Sequence, residues 1–172
     1  LFDIFKIYCN NSSFTIKDCE ISSNSSTQAG GGIYINNEDT FATLIENTTI
    51  SKNESTGDTG GGIYIEKGSV YITGTNISEN KSAGHGGGIL NGGILTLDTT
   101  TLTLNSAAKN GGAINTTDSG TLYVKDGLSI PAGDGGKNNM YFAAGKSALR
   151  YWNIQAESEY LPISSNSLDG EL

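Results

Sequence analysis

A four-residue phrase, G-G-[G/A]-I, occurs four times in this chain, at Gly30–Ile33, Gly60–Ile63, Gly86–Ile89 and Gly111–Ile114. Successive copies start 30, 26 and 25 residues apart, and each is preceded by a second phrase, [I/L]-x-x-N, at Ile21–Asn24, Ile50–Asn53, Ile77–Asn80 and Leu102–Asn105. Two motifs that recur in step define a repeating structural unit. A unit of that length cannot enclose its own apolar face, so it must stack on its neighbours. At 172 residues, with 35% hydrophobic residues and 24 glycines, the chain is thin for an ordinary globular core. A stack of coils needs less, because each coil buries the one beside it.

Windows that end on each [I/L]-x-x-N phrase align as SFTIKDCEISSN, ATLIENTTISKN, SVYITGTNISEN and ILTLDTTTLTLN, with a fifth, TLYVKDGLSIPA, from Thr121. The fourth column holds Ile16, Ile45, Ile72, Leu97 and Val124. The ninth holds Ile21, Ile50, Ile77 and Leu102, with Leu128 one place early. The second column (Phe14, Thr43, Val70, Leu95, Leu122) is mostly apolar, which completes the period-2 alternation of a half-buried strand. In GGGIYI the two isoleucines share one side and the tyrosine takes the other. Each unit therefore predicts three short strands, the coil of an all-β parallel β-helix in which every strand pairs with its equivalent one coil away.

The twelfth column predicts a ladder of Asn24, Asn53, Asn80 and Asn105, each amide both giving and taking a hydrogen bond at a sharp turn. Thr48, Thr75 and Thr100 predict a lesser hydroxyl ladder. Length variation falls between the glycine phrase and the next window, longest at Asn36–Phe41. Variable turns gather on the partner-facing side of many solenoids, so Asn37, Glu38 and Asp39 are the candidate contact loop. After Val124 the pattern decays, and Pro131 stands where the asparagine ladder would continue. This divides the chain into about five coils over residues 1–136, with a repeat core at 13–131, and a divergent cap or final coils over 137–172. Tyr141 and Phe142 are candidates to cover one open end, and Leu1–Tyr8 the other.

The sequence argues against most chemistry. A net charge of −8 repels phosphate backbones, so nucleic acid is not an expected partner. His85-Gly86-Gly87-Gly88 reads like an oxyanion-hole phrase, but no G-x-S-x-G turn accompanies it and its glycines are the third copy of the repeat. Ala144–Ser147 resembles the tail of a phosphate-binding loop without its leading glycine. Acidic residues are scattered among columns rather than paired, so no catalytic residue, cofactor or metal site is expected. Eight N-x-[S/T] sequons occur, three of them on ladder positions where an inward amide leaves no room for a glycan. Cys9 and Cys19 permit either one bridge or two thiols. No run of 18 apolar residues is present, and Leu1–Tyr8 lacks signal-peptide anatomy, so the expectation is a monomeric fragment or processed piece that does not itself enter a membrane.

The alternation of G-G-[G/A]-I with [I/L]-x-x-N resembles the GGA-I and FxxN repeats of chlamydial polymorphic outer-membrane proteins and related bacterial surface β-helices. The likeness runs from about Phe14 to Ile114, and Gly111-Gly112-Ala113-Ile114 matches the first signature as it stands. What the resemblance implies is a right-handed β-helical passenger displayed outside the bacterial outer membrane, acting in adhesion toward a host-cell or extracellular protein or glycan. The alternatives are a structural stalk without a ligand of its own, and a carbohydrate-active β-helix.

Overall fold

The computed structural model of the chain describes residues 6–38, 42–131, 137–143 and the strand Ala148–Tyr151. Short strands stack in parallel into four sheets. The first sheet contains Ile7–Asn10, Ile33–Asn36, Ile63–Lys67, Ile89–Asn91, Ile114–Thr116 and Met140–Phe142. The second contains Phe14–Lys17, Ala42–Glu46, Ser69–Thr73, Ile94–Asp98, Thr121–Val124 and Ala148–Tyr151. Glu20–Ser22, Thr49–Ser51, Asn76–Ser78 and Thr101–Thr103 form the third. The fourth, which the windows did not predict, stacks the two-residue strands Ser25–Ser26, Glu54–Ser55, Lys81–Ser82 and Ser106–Ala107. Its inward Ser26, Ser55 and Ser82 are buried, and Ser55 and Ser82 donate to backbone carbonyls, which is why no apolar alternation betrays it.

The fourth column pairs as aligned: Ile16 with Ile45, Ile45 with Ile72, Ile72 with Leu97 and Leu97 with Val124. Ile21, Ile50, Ile77 and Leu102 form the core line of the third sheet. In the fifth coil one residue is inserted at the turn after Val124, where Gly127 has φ +68°. Ser129 therefore pairs with Thr101, and Ile130 rather than Leu128 falls into line with Leu102. Ile33, Ile35, Ile63, Ile65, Ile89 and Ile114 of the first sheet are fully buried, which joins the sheets around one continuous core.

The stack does not end at residue 136. Met140 pairs with Ile114 and Leu149 with Leu122, so the described part of 137–172 continues both large sheets as a further coil rather than capping them. Leu1–Phe5 and the stretch from Trp152 onward, both considered as covers for the ends, lie outside the described residues. Cys9 occupies the column of Ile35 and is buried, whereas Cys19 is exposed; both thiols are free. Cys19 takes the place of a ladder threonine. Its thiol meets the carbonyl of Lys17 two residues back, as the hydroxyls of Thr48, Thr75 and Thr100 meet those of Glu46, Thr73 and Asp98.

Candidate functional site on the outer face of the first sheet

The asparagine ladder is internal scaffolding. Asn53, Asn80 and Asn105 are 0%, 0% and 1% exposed, and Asn24 at the first coil is half-buried. Asn80 Oδ1 accepts from both the backbone N–H and the side-chain Nδ2 of Asn53 at 3.0 Å, while Asn80 Nδ2 donates to Ile50 O at 2.8 Å and Asn105 Oδ1 at 3.0 Å. Every amide valence is thus used, which a buried amide requires. The ladder also runs one rung further than the windows predicted. Pro131 does not end it, because Asn138, two residues before Met140, sends its amide in from a different backbone position. Its Oδ1 accepts from Asn105, and its Nδ2 donates to Leu102 O and Pro131 O.

The glycine phrase packs against this ladder and supplies no chemistry. In the His85 copy the N–H groups of Gly86, Gly87 and Gly88 donate to the carbonyls of Asn110, Gly111 and Gly112 at 2.9–3.0 Å. Donors committed to the next coil cannot cradle an oxyanion. The Ala144–Ser147 phrase lies outside the described residues.

The candidate contact loop divides. Asn37 is 1% exposed: its Nδ2 donates to Ser12 O at 3.1 Å, and its Oδ1 accepts from Ser12 N at 3.2 Å, closing the inner corner between the first two sheets. It offers nothing to a partner, because the backbone groups freed at that corner need its amide. Glu38 is exposed, and Asp39 lies outside the described residues. Beside Glu38 an open depression of about 480 Å³ is lined by Lys67, Gly68, Gly92, Gly93 and Ile94.

The more organised surface lies on the outer side of the first sheet. Alternation that buries Ile33 and Ile35 turns Tyr34 outward, and parallel register puts Tyr8, Tyr34, Tyr64, Leu90, Asn115 and Tyr141 in one row. Tyr8 and Tyr34 lie 5.1 Å apart between ring centroids, and Tyr34 and Tyr64 5.4 Å, tilted by 37° and 39°. This is the offset, tilted packing that aromatic quadrupoles favour. The Tyr34 hydroxyl donates to Glu66.

Burial first, then the hydrogen bond and charge of Glu66, raises the Tyr34 phenol well above its ordinary value near 10; burial and the same carboxylate raise Tyr64. A raised phenol favours the folded state while protonated. Its stabilisation is complete below pH 10 and declines above it, as the unfolded phenols ionise first. The melting temperature is therefore expected to fall as pH climbs past 10. In a phenolate absorbance titration Glu66→Gln should bring the Tyr34 transition down; a transition unmoved by Glu66→Gln would refute the pairing.

Further along the same row the face becomes a basin of about 460 Å³. Leu90, Asn115 and Tyr141 make its floor, His85 and Asn110 stand on one lip, and Thr117, Asp118 and Ser119 on the other. The lips exist because the turn that precedes each glycine phrase and the turn that follows its strand flank the same row. Asn115 is 4% exposed and its amide makes no hydrogen bond among the described residues, while His85 Nδ1 is a buried atom without a partner.

A family model described as a right-handed β-helix region matches residues 5–129, most of the chain. The chain belongs to the right-handed β-helix family. No curated protein and no solved structure matches it. The right-handed β-helix family includes enzymes that act on polysaccharides as well as proteins that catalyse nothing. On the second sheet of this β-helix the outward charges are engaged with one another. Lys17 meets Glu46 at 3.1 Å, and Asp98 accepts from the Tyr71 hydroxyl, over whose ring Lys125 lies at 4.8 Å. Among the described residues no group of three or more His, Cys, Asp or Glu is placed to hold a metal. Sequence reasoning turned the two tyrosines of GGGIYI outward but did not find the row, since Leu90 and Asn115 interrupt its aromatic character and only the pairing register joins Tyr8 and Tyr141 to it.

Proposed function

We propose that this β-helix is a surface-interaction module, displayed outside a bacterial cell or secreted, that meets a host-cell or extracellular protein or glycan through the outer face of its first sheet. The observation that carries the reading is the row Tyr8, Tyr34, Tyr64, Leu90 and Tyr141, interrupted by Asn115, a band of aromatic and aliphatic side chains in register on one face. Tyrosine with an apolar ring and a polar tip is well suited to contact surfaces. The low density of charge, 16% of residues, lets such a band dominate association at short range. The repeat resemblance to displayed passengers supports the location.

A stalk is the second reading, and the Tyr stack itself favours it. Rings that pack on one another, with the middle hydroxyl held by Glu66, also stiffen a rod. Binding separates the two. The purified chain is expected to bind cultured cells or immobilised matrix glycoproteins above background, and Tyr34→Ser with Tyr64→Ser should remove most of that binding while the chain still melts cooperatively. Binding at background for the unmodified chain would leave the stalk.

A further inference from the structure

We propose that Asn110-Gly111 is a site of spontaneous covalent modification, at which water converts the asparagine amide to an acid and reroutes the backbone through an isoaspartyl bond. The chain contains two Asn-Gly pairs, Asn91-Gly92 and Asn110-Gly111, each followed by a second glycine. Asparagine amides are chemically labile, and a glycine after them leaves the next backbone nitrogen with no side chain to keep it from the asparagine Cγ. The fold treats the two pairs oppositely. Asn91 is 0% exposed, in a strand paired on both sides. Its Nδ2 donates to Thr121 O and its Oδ1 accepts from Gly93 N, each at 3.1 Å, while Gly92 N donates to Ile65 O at 2.7 Å. Amide and nucleophile are both engaged elsewhere. Asn110 lies in the bend between Ser106–Ala107 and Ile114–Thr116, half-buried on the lip of the outer basin. Among the described residues its side-chain amide makes no hydrogen bond and Gly111 N has no acceptor.

The chemistry needs only water. Gly111 N gives up its proton and bonds to Asn110 Cγ; the Cγ–Nδ2 bond breaks, and Nδ2 leaves as ammonia with that proton. The result is a cyclic imide made of Asn110 Cα, Cβ, Cγ and C together with Gly111 N. Water then opens the ring at either carbonyl. Breaking the Cγ–N bond restores the peptide and leaves an aspartate side chain, whereas breaking the C–N bond leaves the chain running through Cβ and Cγ with the α-carboxylate pendant. One water enters and one ammonia leaves, with no oxidation or reduction. The second product disturbs the stack. Asn110 O accepts from Gly86 N at 3.0 Å, and Gly111 O from Gly87 N at 3.0 Å. Rerouting turns the first of these acceptors into a pendant carboxylate and inserts a carbon into the main chain just before the second. Either product also sets a new anion on the basin lip that faces Asp118.

The test ages the folded whole chain in mildly alkaline buffer, reading acid at each Asn-Gly peptide by mass spectrometry and isoaspartate by enzymatic methylation. Acid is expected to accumulate at Asn110 with first-order kinetics, the isoaspartyl form predominating. Asn91, buried and held by three hydrogen bonds, should react about a hundredfold more slowly. In guanidinium the two rates should converge, since both asparagines precede the same pair of glycines. Asn110→Gln, whose longer side chain closes the ring poorly, should melt like the parent and gain no acid at that peptide. The isoaspartyl fraction, separated by ion exchange, should melt below the parent. Reaction at Asn110 no faster than at Asn91 in the folded chain overturns the proposal. A rate at Asn110 that falls more than about tenfold below its rate in guanidinium does so too, because the bend would then be shielding it. A gap between the two sites that persists in guanidinium overturns it as well, by assigning the difference to the neighbouring sequence rather than to the stack.

Discussion

Asn80→Ala is expected to lower the stability of the fold by about 4 kcal/mol. The substitution strips the acceptor from the Asn53 N–H and Nδ2 at once and leaves Ile50 O without its donor, all of them inside the stack. Each buried group left unpaired costs about 1–3 kcal/mol, and three occur together here. Asn80→Asp is nearly isosteric and should be worse, since it sets a carboxylate against the Ile50 carbonyl where a donor is required. Asn24→Ala provides the contrast. Asn24 is half-buried and no described group donates to its side-chain oxygen, so only its own bond to Asn53 at 2.8 Å is lost, about 1 kcal/mol. Chemical denaturation of the three variants should rank them Asn24→Ala, Asn80→Ala, Asn80→Asp in rising cost. Equal midpoints for Asn24→Ala and Asn80→Ala would remove the ladder as a source of stability.

The second large effect is expected at Gly61. A Cβ there would sit 2.4 Å from Lys81 O and 2.5 Å from Gly87 O, both backbone atoms of the next coil, and Gly61 is not among the positive-φ glycines. Space, not conformation, is what the missing side chain provides. Gly61→Ala must push two coils apart along the axis and should cost about 3 kcal/mol, at the upper end for overpacking, or prevent folding outright. Gly62→Ala should be milder, its nearest backbone contact being 2.7 Å from Gly88 O and its next 3.0 Å from Asn80 Cγ. The native chain already carries Ala113 at that place in the last copy of the phrase. Thermal melts decide it, and a Gly61→Ala variant that melts like the parent would mean that the coils are not in backbone contact there.

How much of this could be read from the sequence depended on whether a position is held by its own backbone or by a partner's need. Ile45, Ile72 and Leu97 are legible because a strand with one buried face must alternate, and the register follows once each coil is aligned on its asparagine. Asn138 is illegible for the opposite reason: the ladder requires an amide, not a particular place in the repeat, and the chain after Pro131 supplies it from two residues before the next strand. Asn37 failed as a contact residue through the same physics, its position in a variable turn being outweighed by the unpaired Ser12 backbone it satisfies. The basin was hidden because it is an assembly. Leu90, Asn115 and Tyr141 come from three coils, and nothing along the chain relates them until the coils are stacked.

Each ladder asparagine from Asn24 to Asn105 is preceded by a residue in the left-handed backbone conformation, and these residues are Ser23, Lys52, Glu79 and Leu104, with φ of 55–57°. The turn holds its shape under a hydroxyl, a cation, an anion and an aliphatic chain alike, which shows that the interior alone dictates the path of the coil. The exterior is accordingly free to drift. Point mutations can rewrite what this β-helix shows to its surroundings one at a time, with no compensating change within.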